Sequence, residues 1–290
     1  MRRVRIDAHQ HFWRYTAEQY PWIDARMQRI ARDFLPDDLA PELAASGIDG
    51  TIAVQARGSL DETRFLLELA KAHPIVRGVV GWMDLCAPDL DQVLEQFADE
   101  KLLLGLRHVV QDEPDERFLL RPDFQRGVQR IGDQGLVYDV LIYPRQLEAA
   151  VSFVAALPDQ PFVLDHLAKP RIGEGADDEK LFDEWLRGFR ALAQFENVAC
   201  KVSGLVTEAK WNAWQPDDFT RYLDAALEAF GADRLLFGSD WPVCLLAADH
   251  YAAVHQLVAG WAEQLSDDER DKLFGGNAAR IYRIDDAKAE

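Results

Sequence analysis

In the stretch VRIDAHQHFW, from Val4 to Trp13, His9 and His11 stand one residue apart at the end of a short apolar run. Residues two apart on a strand point to the same side, so the two imidazoles face one way. A histidine pair makes a site only where other segments bring it partners. Four of the chain's seven histidines, at 9, 11, 108 and 166, fall at the polar ends of apolar runs, and Asp240 ends another. His9, His11, His166 and Asp240 together offer three imidazoles and a carboxylate. That set can hold a single Zn²⁺ with a position left open for water. It can also work without metal. Asp240 is then a general base on water, and the imidazoles bind an electrophilic carbonyl and its developing oxyanion. Both arrangements suit attack of water on an acyl carbon. A serine or cysteine nucleophile has less support, because the chain carries no GxSxG elbow; the zinc motif HExxH is absent as well.

These residues need a scaffold that gathers strand ends. Eight apolar runs appear in order: 4–9, 50–55, 75–82, 103–109, 136–143, 162–167, 198–204 and 234–240. Between them lie segments of helical periodicity, among them DETRFLLELAKAH, DLDQVLEQFADE, DFQRGVQRIGDQG and PDDFTRYLDAALEAFG. Several open on Asp or Pro, good residues for the first turn of a helix. Strand then helix, eight times, reads as an α/β chain folded into a (β/α)₈ TIM barrel, one domain across 1–290. A doubly wound open sheet is the alternative, but no strand is followed by GxGxxG. The connection 12–48 is longer than the others and aromatic-rich (HFWRYTAEQYPW). It forms an insertion near the active-site mouth that either seals the barrel rim or walls a pocket.

A barrel places its active site at the C-terminal strand ends. Polar residues there are candidates for substrate contacts: Trp13, Gln55, Arg57, Trp82, Arg107, His108, Tyr138, Tyr143 and Lys169. Arg107 and His108 are adjacent and point oppositely, so only one of them can face the barrel axis.

The 290 residues carry a net charge of -18 and 48% hydrophobic residues. The core is sizeable, and the acidity argues against binding nucleic acid or an anionic membrane. Cys86, Cys200 and Cys244 are too few and too scattered for a disulfide framework, so reduced thiols in a cytoplasm are expected. The start MRRVRIDAH lacks the apolar segment of a signal peptide. No run approaches the roughly 18 apolar residues of a membrane span.

DAHQHFW, GLRHVVQ, VLDHLAKP, KVSGL, LLFGSDWPV and GNAARIY together resemble the amidohydrolase superfamily. More narrowly they resemble its sugar-lactone hydrolases, the L-fuconolactonase and L-rhamnonolactonase-like proteins. HxH alone is a weak motif, whereas HxH, DHxxKP and GSDWP in this order are specific. The resemblance covers essentially the whole chain. It implies a barrel that opens an aldonolactone, with His9, His11, His166 and Asp240 at the reacting centre. Metal enzymes of the superfamily usually add a strand-5 histidine and often a bridging strand-4 lysine or glutamate. Here strand 5 reads LVYDVLIY and strand 4 offers Arg107 and His108. That departure argues against a binuclear centre. The expectation is hydrolysis without a strict cofactor, by a monomer or homodimer, with one Zn²⁺ able to occupy the site. A metal-dependent decarboxylase of an aromatic acid and a non-catalytic sugar-binding module are the rival readings.

Overall fold

Strands β1 (Ile6–Gln10), β2 (Gly50–Val54), β3 (Val76–Gly81), β4 (Leu103–His108), β5 (Val137–Val140), β6 (Phe162–Leu164), β7 (Val198–Val202) and β8 (Leu235–Phe237) follow the eight apolar runs in order. The computed structural model describes residues 3–173 and 178–284. Every neighbouring pair is parallel, in the order β1 to β8. The ring closes just beyond β8. Gln10 bridges Trp241, His11 N donates to Trp241 O at 2.7 Å, and Asp240 N donates to His9 O at 2.8 Å. The expected (β/α)₈ barrel is the fold.

The helices form where the periodicity placed them. α2 (Leu60–Ala72) opens with Ser59, whose hydroxyl accepts from Asp61 N, and buries Thr63, Leu66, Leu67 and Ala70 against the sheet. α4 (Pro122–Asp133) starts on Pro122 and buries Phe124, Val128 and Ile131. α7 (Asp217–Phe230) has two aspartates in its first turn and stops at Gly231, whose φ of 67° only glycine adopts freely. α1 (Pro36–Ala45), α5 (Leu147–Ala156), α6 (Asp178–Ala193) and α8 (Tyr251–Trp261) complete the outer layer. α3 is shorter than its sequence pattern, Leu90–Glu95, because the chain turns again before β4, with Glu100 N bonded to Phe97 O. Short helices α9 (Asp267–Asp271) and α10 (Asn277–Ile281) follow.

Inside the barrel, Ile6, Ala8, Ile52, Val54, Val80, Leu104, Val137, Val163, Ala199 and Leu236 pack with Ala278 and Tyr282, which close the end opposite the site. Two register shifts matter for what lies above this plug. The β1–β2 pairing slips between Asp7 and Gln10, and the β3–β4 pairing slips between Val79 and Val80. Strict alternation would send Ala8 and His9 to opposite faces. The slip in β1 lets Ala8 join the apolar plug while His9, next in the chain, also meets groups inside the barrel. In β4 the same device allows both Leu104 and Arg107 to do so. Irregularities of this kind commonly re-aim side chains beside active sites. Among the described residues no helix is long and apolar enough to cross a membrane.

Candidate active site

Asp7 anchors the end of β1. Its Oδ1 accepts from His9 N at 3.1 Å and Ser239 N at 3.0 Å, and its Oδ2 accepts from Tyr251 OH at 3.0 Å. One fully buried carboxylate thus ties the β1 histidine segment to the chain leaving β8. Burial raises its pKa to about 6 against the pull of those hydrogen bonds.

His11 Nδ1 lies 2.8 Å from Val54 O. A carbonyl only accepts, so Nδ1 carries a proton. His11 Nε2 then faces Asp240 Oδ1 at 3.3 Å and His9 Nε2 at 3.3 Å, and His9 Nε2 is 3.8 Å from Asp240 Oδ1. A bare lone pair aimed at a carboxylate repels it, so this nest calls for a cation, a proton or a metal ion, between them. The spacing suits zinc. Tetrahedral ligands at the usual zinc bond lengths stand about 3.4 Å apart. Among the described residues a second group, His9, Asp165 and His166, is also close enough to share an ion.

His9 is fully buried. Its Nδ1 is 3.2 Å from Asp165 Oδ1 and 3.2 Å from Lys201 Nζ, and its Nε2 is 3.3 Å from Arg107 Nη1. A proton on Nε2 would meet the Arg107 N–H head on. With the His9 proton on Nδ1, toward Asp165, the Nε2 lone pair accepts from Arg107, while the Lys201 ammonium, paired with carboxylates, stands against the Nδ1 proton. Lys201 also pairs with Asp165 at 3.0 Å and with Asp139, which accepts from Tyr282 OH at 2.7 Å. Arg107 Nη1 donates to Asp165 Oδ2 at 3.0 Å and Nη2 donates to Gln55 O. Burial alone would raise Asp165, but Lys201, His9 and Arg107 outweigh it and hold the carboxyl well below the usual range. Burial pushes Asp139 up to about 6 despite Lys201.

β6 ends at Leu164, and the chain enters a left-handed turn with φ of 54°, 52°, 57° and 53° at His166, Leu167, Ala168 and Lys169. Such a run in residues other than glycine is costly, about 1–3 kcal/mol each, and points to a site that needs it. Pro170 disfavours the right-handed region for Lys169, and Trp185 Nε1 holds Leu167 O at 2.7 Å. The turn brings both His166 and Lys169 to one cavity. His166 Nδ1 meets Ser203 Oγ at 2.8 Å, and burial lowers the ring to about 4. Gly204, at φ 64°, leaves room for it, since a Cβ there would come within 2.4 Å of His166 Nδ1. Asp240 is also left-handed, at φ 56°. Burial would raise its pKa, but the three imidazoles hold it below the ordinary carboxylate range.

The cavity is about 960 Å³, open at the C-terminal strand ends. His11, Arg107, His166 and Asp240 form its floor side, with Arg57, Tyr143 and Lys169 among its walls. Lys169 pairs with Glu208 at 3.1 Å; burial would lower its pKa, but that carboxylate outweighs it and raises it. The aromatic insertion does both things the sequence allowed. Phe12, Trp13 and Tyr20 are buried packing, while Pro21 and Trp22 face the cavity.

Five residues expected at the substrate are placed elsewhere. Trp13 is fully buried, with Nε1 on Arg32 O at 2.9 Å. Gln55 is fully buried, with Nε2 on Arg107 O at 3.2 Å. Tyr138 packs between the sheet and helices against Phe124, Phe153 and Phe162. His108 points away from the axis, stacked on Phe118 and bonded to Glu113 at 2.7 Å, and Trp82 donates to it at 3.2 Å. Adjacent residues on a strand alternate, and Arg107 takes the inward side. Asp139, Asp165 and Lys201 also stand at strand ends in the sequence, but that position alone does not mark them as one ionic group. Its signal was present: a charge inside an otherwise apolar strand must be paired when the strand is buried on both faces.

An L-fucono-1,5-lactonase from Burkholderia multivorans is 49% identical over 290 residues, spanning 98% of this chain and 97% of that protein. A second L-fucono-1,5-lactonase, from Burkholderia ambifaria, is 38% identical over 97% of this chain and 96% of its own. A crystal structure of an amidohydrolase from Burkholderia multivorans with bound zinc superposes with a TM-score of 0.93 at 47% identity, covering 97% of this chain and 100% of the other. A protein-family profile described as Amidohydrolase matches residues 6–284. The chain belongs to the amidohydrolase family.

Proposed function

We propose that this chain hydrolyses a sugar lactone of the L-fucono-1,5-lactone type to its aldonic acid. One observation carries the reading: Asp240 stands on the floor side of the cavity, 3.3 Å from His11 Nε2 and beside His166, at the mouth of the barrel. The lactonase relatives at 49% and 38% identity support the substrate class and weigh against the decarboxylase alternative.

The lactone lies in the cavity against the Trp22 ring, and the polar atoms of Arg57, Tyr143 and Lys169 meet its hydroxyls. Asp240 takes a proton from water, and the water oxygen adds to the ring carbonyl. The ring then opens at the bond between carbonyl carbon and ring oxygen, and Asp240 returns the proton to that oxygen. His166 stabilises the oxyanion when its Nε2 carries the proton, which the Ser203 hydroxyl permits by donating to Nδ1. A divalent metal would be held by His9, His11 and Asp240, with His166 proposed as a fourth ligand, and it would supply a Lewis acid and a more acidic water. Three free cysteines, two of them buried, accord with a cytoplasmic enzyme.

The test is a pH-indicator screen of aldonolactones, with and without chelator. Acid release led by L-fucono-1,5-lactone supports the reading. Saturable lactone binding without acid release would instead make the protein a sugar-binding module.

A further inference from the structure

His9 Nε2 has one lone pair, and three groups approach it: His11 Nε2 at 3.3 Å, Arg107 Nη1 at 3.3 Å and Asp240 Oδ1 at 3.8 Å. Of these, Arg107 brings a permanent positive charge. The guanidinium is 4% exposed, lines the cavity, and is held in place by Asp165 and by Gln55 O. Of its five N–H groups the contacts to Asp165, His9 and Gln55 O use three; Nε is itself buried without a partner among the described residues, and one Nη2 hydrogen is left over. A buried guanidinium with unused donors beside a water-activating carboxylate is poised to take a developing negative charge.

The charges beneath it point the same way. With ionised carboxylates and neutral imidazoles, Lys201 and Arg107 set two positive charges against Asp139, Asp165 and Asp240. The site therefore already holds most of its countercharge, without a metal ion.

We propose that Arg107 is the built-in electrophile of this site, donating to the lactone carbonyl oxygen as it becomes an oxyanion, and that it competes with a divalent metal for the His9 Nε2 lone pair. In the step it serves, the water oxygen bonds to the carbonyl carbon, Asp240 accepts one water proton, and the carbonyl electron pair moves to the oxygen facing Arg107. Collapse returns that pair, breaks the bond to the ring oxygen, and sends the Asp240 proton there. Arg107 stays charged throughout, so no proton is left over.

Chelator-stripped wild type, Arg107→Met and Arg107→Lys are compared by zinc affinity, in competition with a chromophoric chelator, and by turnover of L-fucono-1,5-lactone in excess chelator. Removing a charge within a few ångströms of the lone pair should tighten zinc binding of Arg107→Met by at least about tenfold. Its metal-free kcat should fall about 10²–10³-fold, as for loss of an oxyanion donor, with a smaller change in KM. Arg107→Lys should recover part of that turnover. Unchanged zinc affinity, or metal-free kcat within about threefold of wild type, overturns the proposal. Should Arg107→Met not melt as a folded protein, Arg107→Lys decides: a loss of at least about tenfold in metal-free kcat is expected, and wild-type kcat overturns it. The turnover arm rests on the lactonase reading and the zinc arm does not. A wild type that opens no aldonolactone sinks that reading, while zinc affinity still reports on Arg107.

Discussion

His11 donates from Nδ1 to Val54 O at 2.8 Å, and a proton or metal ion shared by its Nε2 and Asp240 Oδ1, 3.3 Å apart, ties the ring to the carboxylate. The β2 carbonyl thereby fixes the direction in which the last strand's carboxylate is held. His11→Ala removes that hold and leaves a buried carbonyl unpaired. We expect kcat to fall about 100-fold, since a carboxylate free to turn loses its alignment on water. Urea unfolding should show a stability loss of about 1–3 kcal/mol. A full-rate variant would show that Asp240 needs no such clamp.

Ser203 and Gly204 support His166 in different ways. Ser203→Ala leaves His166 in place but removes its Nδ1 partner, and about a tenfold drop in kcat is expected. Gly204→Ala places a methyl group within 2.4 Å of His166 Nδ1 at a φ of 64°. It should cost about 1–3 kcal/mol in stability and more activity than Ser203→Ala. Steady-state kinetics and melting curves of the pair check the order; the reverse order contradicts it.

The burial of His166 sets a pH signature. Its ring titrates at about 4 in the fold, against an ordinary value of 6.5. Above pH 6.5 it is neutral in both states. Between 6.5 and 4 the unfolded chain takes up a proton that the folded site refuses, so this contribution to stability is lost as pH falls. The full difference is on the order of 3 kcal/mol. His166→Gln lacks it. In chelator-treated protein, the stability of wild type relative to His166→Gln should therefore decline from pH 7 to pH 4. A gap constant across that range would contradict the buried, neutral ring.

Much of this was legible in the sequence. The eight apolar runs and the helices between them specify the barrel, because a parallel sheet buried on both faces needs unbroken apolar strands. His9, His11, His166 and Asp240 were legible because barrel chemistry gathers at strand ends. The side each residue faces was less so. Alternation correctly separated Arg107 from His108, but the slip in β1 that turns both Ala8 and His9 inward leaves no mark in composition. The left-handed turn at 166–169 was equally silent, apart from Pro170. Tyr138 and Gln55 look like rim residues in the sequence because strand ends cannot be set to within one residue by apolar content alone.

Lys169 reaches the cavity from that turn, 16% exposed and paired with Glu208. We propose that its ammonium meets a lactone hydroxyl rather than the reacting carbonyl. Lys169→Met should raise KM about tenfold, the equivalent of one charge-assisted hydrogen bond, with kcat within about threefold. A kcat loss larger than the KM change would move Lys169 into the chemical step.

Asp240 is proposed as the base that opens a lactone at this barrel mouth. The most direct measurement is acid release from L-fucono-1,5-lactone by wild type and Asp240→Asn, each with its melting curve. Wild type should turn the lactone over, and Asp240→Asn should fold normally while losing at least about 100-fold in kcat. Near-normal turnover by a folded Asp240→Asn would show that another group activates the water.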